Sequence, residues 1–254
     1  MFTRRSHNSD KEEEKNKYEK ASSQILESGV DKNIFGYKKF KYCYQSPFIN
    51  YQKKISAYLN SGKKVLEIGA GSGNYTGIIA NTGAELIATD ISAQSLEVSK
   101  ILNAGFTNID YKIADIEDLP FENEKFDAVL SSGSLSYGDF EKVKTELVRV
   151  LKKDGLLICT DALNNNPVYR YKRLFDAYKG KRTHMTYRNI PTVRSIEILL
   201  KDFKEEEIVY FGSMTWLLAM LPNYPIVKDL SNFIDKMIKC KRSAFYFTLV
   251  AKKK

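Results

Sequence analysis

Short apolar segments alternate with amphipathic ones along much of this chain of 254 residues. Four apolar segments have the length and β-branched content of strands and end in polar residues: 64–68, 85–90, 108–114 and 126–130. Helix-length segments separate several of them, so the pattern predicts an α/β fold with an open, doubly wound, parallel sheet. Such sheets bind ligands at the carboxyl ends of their strands, so the polar strand ends mark the expected site.

The first candidate strand runs directly into a glycine-rich turn. Gly69, Gly71 and Gly73 follow closely on Glu67. Glycine permits backbone torsions and close approaches that a Cβ would block, so this turn can press against a ligand. The dinucleotide fingerprint has its third glycine where this chain has Asn74, so a diphosphate cofactor is disfavoured.

Three acids at strand ends are candidate ligand contacts, and each has a plainer alternative. Asp90 stands nineteen residues after the central glycine, where a βαβ unit places a carboxylate against a ribose. It could instead cap the next helix, although Ser92 can do that itself. Glu67 could be a solvated strand-end acid, but an unpaired carboxylate is costly in a strand expected to be buried. Asp115 follows the third strand among other acids, so a solvated acidic turn is its alternative.

From Ser61 to Leu163 the chain resembles class I S-adenosylmethionine-dependent methyltransferases of the type 11 methyltransferase domain group. Five landmarks occur in the family's order, the last being the helix and glycine turn at 146–155. The resemblance implies S-adenosyl-L-methionine as cofactor. It also implies a Rossmann-like, doubly wound sheet of seven strands, mostly parallel with the last strand antiparallel, and helical additions after strands five and six. Strands five to seven would lie near 156–160, 206–211 and 244–251.

The same resemblance assigns cofactor contacts residue by residue. The methionine part would contact the first strand end, the turn and the fourth strand end: Glu67, Gly69, Ala70, Gly71, Gly73 and Ser132. Asp90 would bind the ribose hydroxyls. The adenine would contact three residues after the second and third strands: Ile91, Asp115 and Ile116.

The division of the chain follows from composition and the extent of this resemblance. We expect residues 1–20, which are highly charged and lack a signal-peptide apolar stretch, to be a disordered tail of a cytoplasmic protein. Residues 21–60 would form an N-terminal helical cap. Residues 61–254 would be the methyltransferase domain, with substrate-side insertions at 164–194 and 214–242. The three cysteines have no metal or redox spacing, so no metal site is expected.

The net charge of +9 is unevenly distributed. Residues 61–163 contain ten Lys or Arg and sixteen Asp or Glu, whereas residues 164–194 carry +7 and residues 214–254 carry +6. A basic periphery suits an anionic small-molecule or lipid-linked acceptor, or peripheral contact with the inner face of an anionic membrane. Nucleic acid is a less favoured partner because no separate RNA-binding module is visible. A solvated lysine-rich surface is the plain alternative, and the oligomeric state stays open.

The block after strand five is the candidate acceptor region. Pro167 predicts a helix to about Lys179, with an apolar face at Val168, Tyr171, Leu174, Phe175 and Tyr178. A loop at 181–191 would follow. We predict His184 as a catalytic base and Tyr137 as a second catalytic-site residue in contact with the substrate. Five further substrate contacts are predicted: Tyr169, Arg170, Arg182, Tyr187 and Trp216.

This block loosely resembles bacterial methyltransferases that act on glycans or glycolipids. The segment 166–169 also resembles the Asn-Pro-Pro-Tyr motif of enzymes that methylate planar amines, but that motif belongs after the fourth strand. Oxygen is therefore the favoured acceptor atom by elimination, with carbon still possible. The leading function is methylation of a sugar or glycan hydroxyl; the alternatives are an RNA methyltransferase and a catalytically inactive cofactor-binding protein.

The second insertion is a candidate lid. Its apolar start contains Trp216, and a helix is predicted at about 227–238 with Leu230, Phe233, Ile234 and Ile238 on one face. Packing over the sheet is the expected fate of this face. The alternative is an apolar surface for a lipid-linked substrate, with four cations at anionic headgroups: Lys236, Lys239, Lys241 and Arg242.

Overall fold

The computed structural model describes residues 7–31, 36–180, 183–238 and 240–254. Seven strands form one sheet: β1 (Lys64–Ile68), β2 (Glu85–Asp90), β3 (Ile109–Ile113), β4 (Phe126–Ser132), β5 (Leu151–Ala162), β6 (Phe203–Phe211) and β7 (Tyr246–Lys253). Their order is β3-β2-β1-β4-β5-β7-β6. The strands pair in parallel from β3 to β5, and β7 pairs antiparallel with both β5 and β6. The predicted sheet and its antiparallel last strand are confirmed.

Ten helices surround the sheet in the described residues: α1 (His7–Ser28), α2 (Ser46–Tyr58), α3 (Thr76–Ala80), α4 (Ala93–Leu102), α5 (Phe140–Val150), α6 (Pro167–Tyr178), α7 (His184–Asn189), α8 (Val193–Leu199), α9 (Thr215–Leu218) and α10 (Ile226–Ile238). Short 3-10 turns add Tyr37–Lys39, Tyr42–Tyr44, Leu135–Tyr137 and Leu200–Asp202.

Alternation along the buried strands builds a core on both faces of the sheet. Leu66 packs with α5 and α8 on one face, whereas its neighbour Val65 packs with α2 and α3 on the other. Because helices cover both faces of the sheet, nearly every residue of the central strands is buried, and their sequences are almost continuously apolar. This core holds the strand ends of the carboxyl edge in fixed register.

Two local expectations were wrong. The disordered tail predicted for residues 1–20 is helical from His7, because α1 is tied to the rest of the chain through its buried acids Asp10 and Glu14. The loop predicted at 181–191 contains α7, whose N-terminus is capped by the side chain of Thr183. Residues 181 and 182 lie outside the described residues.

The helices of the two insertions form as predicted, α6 at Pro167–Tyr178 and α10 at Ile226–Ile238. All five residues of the predicted apolar face of α6 are exposed. The packing over the sheet expected for the apolar face of α10 is wrong for Leu230, Phe233 and Ile238, which are exposed as well. The two helices turn other residues toward the core, including Tyr169 and Val227.

Candidate active site

The glycine turn after β1 combines tight packing with open space. Gly69 has φ +61°, and a Cβ at this position would lie 2.4 Å from the Cβ of Ser134. Gly71 has φ +53°, and in the described part of the chain no neighbouring atom lies within 4 Å of the place where its Cβ would be. The turn is therefore closed against the β4 side and open at Gly71, as close approach of a ligand to the backbone requires.

Glu67 is buried in the strand that precedes this turn. Its side chain is 3% exposed and accepts a hydrogen bond of 2.7 Å from the Thr76 hydroxyl. Burial raises the pKa of Glu67 to about 7, and the Thr76 hydrogen bond opposes that rise. A cation placed beside this carboxylate would favour its ionised form.

Asp90 fastens the ends of the first two strands together. One oxygen accepts from the backbone N–H of Gly71 at 2.8 Å, and the other accepts from the N–H of Ser92 at 2.9 Å. Ser92 itself caps α4 by accepting from Ser95. Asp90 is thus not needed as the helix cap, and its carboxylate, which also lines the cavity described next, has lone pairs left for a ligand.

A cavity of about 430 Å³ joins these groups at the carboxyl edge of the sheet. This volume is in the range typical of small-molecule sites. Nine predicted cofactor residues line it: Glu67, Gly69, Ala70, Gly71, Asp90, Ile91, Asp115, Ile116 and Ser132. Gly73 lies behind the turn, where a Cβ would meet the side chains of Ser99 and Asn103.

S-adenosylmethionine fits the chemistry of this lining. The open space at Gly71 suits close approach by a ligand, and Glu67 could pair with an ammonium group. Asp90 offers carboxylate oxygens to hydroxyl donors. Apolar side chains of Ile91 and Ile116 complete the part of the cavity expected to receive the adenine.

The N-terminal helix α1, absent from the sequence-based site, forms another wall of the cavity. It contributes seven lining residues: Lys11, Glu14, Lys15, Tyr18, Ala21, Ser22 and Ile25. The hydroxyl of Tyr18 is hydrogen-bonded to that of Tyr137, a predicted catalytic residue that also lines the cavity. Lys11 pairs with Asp115, and its ammonium also lies 3.2 Å from a carboxylate oxygen of Glu117.

Buried acids fasten α1 to α7. Glu14 accepts from the Thr183 N–H at 2.9 Å and from the Thr186 hydroxyl at 3.1 Å. Asp10 accepts from the Met185 N–H at 3.0 Å. The two carboxylates therefore satisfy donors of the first turn of α7, which a helix cannot satisfy within itself.

Replacing Asp10 and Glu14 together with alanine should destabilise the protein by about 1–3 kcal/mol, because buried N–H groups lose their acceptors. Trypsin should then cleave α1 at its lysines faster, as measured by mass spectrometry alongside urea unfolding. The exposed Glu12→Ala on the same helix is the matched control. Equal cleavage of all three proteins would show that these contacts do not hold α1.

Other predicted residues lie away from the cavity lining. His184 is the half-buried first residue of α7, and Tyr187 follows one turn later. Tyr169 is buried against Phe245, with ring centroids 4.1 Å apart, and its hydroxyl donates to the Gly212 carbonyl. Arg170 and Trp216 are exposed on α6 and α9. Arg182 lies outside the described residues. The acceptor-side assignments stay predictions.

Comparison with known proteins agrees with this geometry. Residues 66–159 match the family model described as a methyltransferase domain. The demethylmenaquinone methyltransferase of Clavibacter sepedonicus is 34% identical over 119 residues, which are 46% of this chain and 48% of that protein. The phthiotriol/phenolphthiotriol dimycocerosates methyltransferase 1 of Mycobacterium ulcerans is 29% identical over 140 residues, 54% of this chain and 51% of that protein.

Among solved structures, the geranyl diphosphate C-methyltransferase of Streptomyces coelicolor A3(2) superposes with a TM-score of 0.59 at 16% identity. The superposition covers 82% of this chain and 79% of the other. At this identity the likeness concerns the fold alone. The chain spans about half the length of the curated relatives it matches first.

Residues 66–159 match a methyltransferase domain, and the strand order of the sheet is that of the class I S-adenosylmethionine-dependent methyltransferase fold. More particularly, these residues are the chain's methyltransferase domain, of the type 11 group that the sequence resembles. All ten predicted cofactor residues lie in this range. Nine of them line the cavity, and the tenth, Gly73, lies behind the glycine turn.

Proposed function

We propose that this protein transfers a methyl group from S-adenosylmethionine to a small apolar acceptor that is borne by, or linked to, a membrane lipid. The observation that carries this proposal is the exposure of apolar helix faces on both insertions beyond the core domain. Such faces are costly in water unless a lipid or another apolar partner covers them.

Of the two exposed apolar faces, the one on α10 is the more regular, and it forms a stripe along the helix. Four large apolar side chains recur at intervals of three or four residues and are 42–73% exposed: Ile226, Leu230, Phe233 and Met237. The side that faces the protein is instead formed by Val227, Ser231 and the half-buried Ile234. This helix is amphipathic, with its most apolar stripe turned outward.

A second stripe lies on α6, and further apolar residues follow α9. The exposed members on α6 are Val168, Tyr171, Leu174, Phe175 and Tyr178; those in and after α9 are Leu217, Met220 and Leu221. Arg170 and Lys172 are exposed between the apolar positions of α6. An apolar stripe flanked by cations is the pattern of helices that lie in an anionic membrane interface.

The mode of contact would be peripheral. No helix among the described residues is long and apolar enough to cross a membrane. Helices that rest on a membrane bury only one face in the headgroup region, which fits the one-sided stripes of α6 and α10. We propose that the protein acts from the cytoplasmic side, at the inner face of the membrane, where anionic lipids would meet the exposed cations Arg170 and Lys172 of α6.

The cavity wall supports methyl transfer by alignment. S-adenosylmethionine supplies a methyl group that is already activated, so the protein chiefly has to orient the acceptor. The hydrogen-bonded hydroxyls of Tyr18 and Tyr137 can orient a polar acceptor atom at the wall. Tyr137 is the better placed of the two predicted catalytic residues, because it lines the cavity and His184 is not among the cavity-lining residues.

The names of the relatives favour lipid-type acceptors over sugars. One is named for demethylmenaquinone and another for phthiotriol and phenolphthiotriol dimycocerosates, both by name methyltransferases. The sugar or glycan hydroxyl suggested by the sequence has no support from these names and stays a narrower prediction. The proposal is therefore an apolar lipid-borne acceptor.

The test is transfer of labelled methyl from S-adenosylmethionine into a bacterial lipid extract presented on vesicles containing phosphatidylglycerol. Phe233→Ser with Met237→Ser should lower vesicle flotation and transfer about tenfold, because two exposed apolar side chains lose their burial in lipid. Ile101→Ser with Ile113→Ser is the matched control, since both residues are exposed apolar side chains on α4 and β3. Label in RNA rather than lipid, or equal flotation of both double variants, would contradict the proposal.

A further inference from the structure

A second cavity of about 690 Å³ lies between α2, the end of β6 and α10. We call it the lysine groove, because four lysines line it: Lys53, Lys228, Lys236 and Lys241. None of its described lining residues also lines the cofactor cavity. The methyltransferase domain at 66–159 contributes none of its lining, so the groove is a feature of the flanking segments.

Among the described residues, no ion pair neutralises the lysines of the lysine groove, although Lys241 lies 5.8 Å from the centroid of the Tyr210 ring. Neighbouring Lys54, in contrast, pairs with Glu207. Like charges that converge on one concave surface repel one another and raise the local concentration of anions.

The one acid described in the lining is already engaged. Asp235 accepts from the backbone N–H of Gly212 at 2.7 Å and from that of Ser213 at 2.9 Å. It thereby fixes the end of β6 to α10. With four lysines and this single carboxylate, the described lining carries a net charge of +3.

An unpartnered hydroxyl lies in the same wall. Among the described residues, the Ser46 hydroxyl has no hydrogen-bond partner, and Ser46 is only 8% exposed. Buried polar atoms normally find a partner in protein or bound ligand, and a hydroxyl can donate to an anion. Ser46 lines the lysine groove on its α2 side.

We propose that the lysine groove is a binding site for a phosphate-bearing anion, of the diphosphate or phosphomonoester class. Two or three negative charges on such a group would match the net charge of the lining. Lysines bind phosphate as point charges without a fixed planar geometry, which suits a site built from three separate elements. The phosphate belongs either to a free metabolite or to the headgroup of a membrane lipid.

Inorganic pyrophosphate is the first probe, titrated calorimetrically into the full chain at low salt. Lys228→Gln with Lys236→Gln should weaken its binding at least about tenfold, and raising the salt concentration should weaken binding to the unaltered protein. Lys53→Gln, on α2, should weaken it as well, so that damage to α10 cannot explain the result. Lys100→Gln is the control, an exposed lysine of α4 outside the groove.

Vesicles containing phosphatidic acid distinguish the two sources. If pyrophosphate displaces the protein from these vesicles, the groove holds a lipid phosphate; if pyrophosphate binds without displacing it, the groove holds a free phosphate compound. Absence of pyrophosphate binding, or equal binding by the groove variants and Lys100→Gln, would overturn the proposal. Titration with S-adenosylmethionine should be unchanged in every groove variant, which separates this inference from the proposed methyl transfer.

Discussion

Replacing Asp90 with alanine is expected to weaken S-adenosylmethionine binding about 10- to 100-fold, the effect of losing a charge-assisted hydrogen bond to a ligand. The same carboxylate accepts the N–H groups of Gly71 and Ser92, so alanine also loosens the turn. Calorimetric titration of the unaltered and altered proteins measures the change.

Two further variants separate ligand contact from turn geometry. Asp90→Asn keeps one acceptor oxygen, which can serve either the Gly71 N–H or the Ser92 N–H, and loses the charge. Lost affinity in this variant, with thermal unfolding close to that of the unaltered protein, would report contact with the ligand. Asp110→Ala removes an exposed acid from the neighbouring strand β3 and should bind normally. Full affinity in both Asp90 variants would remove this residue from the cofactor site.

Replacing Glu67 with glutamine is expected to stabilise the free protein above pH 7 while weakening cofactor binding at least about tenfold. The glutamine keeps an oxygen that can accept from Thr76 but cannot ionise in its buried position. It also cannot pair with the ammonium group of the methionine part, a charge-assisted contact that is worth about 1.5–3 kcal/mol.

The pH dependence follows from the raised pKa of Glu67, which is about 7 in the folded protein against 4.5 for an ordinary glutamate. Between these two values the native state holds a proton that the unfolded chain has released, so the stability of the free protein falls as pH rises. The cost of holding an ionised Glu67 in its buried position is absent below about pH 4.5 and fully present above about pH 7. Relative to the unaltered protein, the free energy of unfolding of Glu67→Gln should be higher by on the order of 1–3 kcal/mol at pH 8 and equal at pH 4.5.

Cofactor affinity should show the opposite trend. Because the ammonium group favours the ionised carboxylate, affinity of the unaltered protein should weaken as pH falls below about 7, and that of Glu67→Gln should not. Thermal unfolding without ligand and calorimetry with ligand, each at pH 5 and pH 8, give the four required comparisons. A variant that binds as tightly as the unaltered protein at pH 8 would disprove the ammonium contact.

The sequence places most of the predicted cofactor residues around one cavity because these residues are local in the chain. The strands β1 and β2 occur at the predicted bounds, and the glycine turn between β1 and α3 places Glu67 and Asp90 at adjacent strand ends. Short apolar strands with glycine or acid at their ends leave few alternative arrangements. The start of β5 was predicted too late in the chain. The strand begins at Leu151 rather than at residue 156, and residues 152–155 form a bulge where the register with β4 shifts.

The wall formed by α1 could not be found from apolar periodicity. This helix is mostly polar or charged, and its few cavity-lining apolar residues include Tyr18, Ala21 and Ile25. Pairs such as Glu13 with Lys17, 3.2 Å apart, are the available local signal, because opposite charges four residues apart support helices. The burial of Asp10 and Glu14 depends on α7, a partner about 170 residues away in the chain.

The exposed apolar faces of α6 and α10 show what helical spacing in a sequence cannot predict. Helical spacing correctly predicted which residues share a face of α6, but it does not say whether that face meets protein or solvent. On α6 the space against the core is taken by Tyr169, Arg173 and Ala177. Arg173 is accommodated there because its guanidinium donates to the carbonyl of Leu163 and lies 4.9 Å from the Phe245 ring.

The position of β7 has a consequence for how the chain folds as it is synthesised. β5 has β4 on one side, but its other neighbour is β7, which follows about 85 residues later and is also the partner of β6. Until residues 246–253 leave the ribosome, β5 exposes an unpaired apolar edge and β6 has no strand to join. Nascent chains stalled before residue 246 should therefore aggregate or bind chaperones, whereas addition of the last strand closes the sheet in one step.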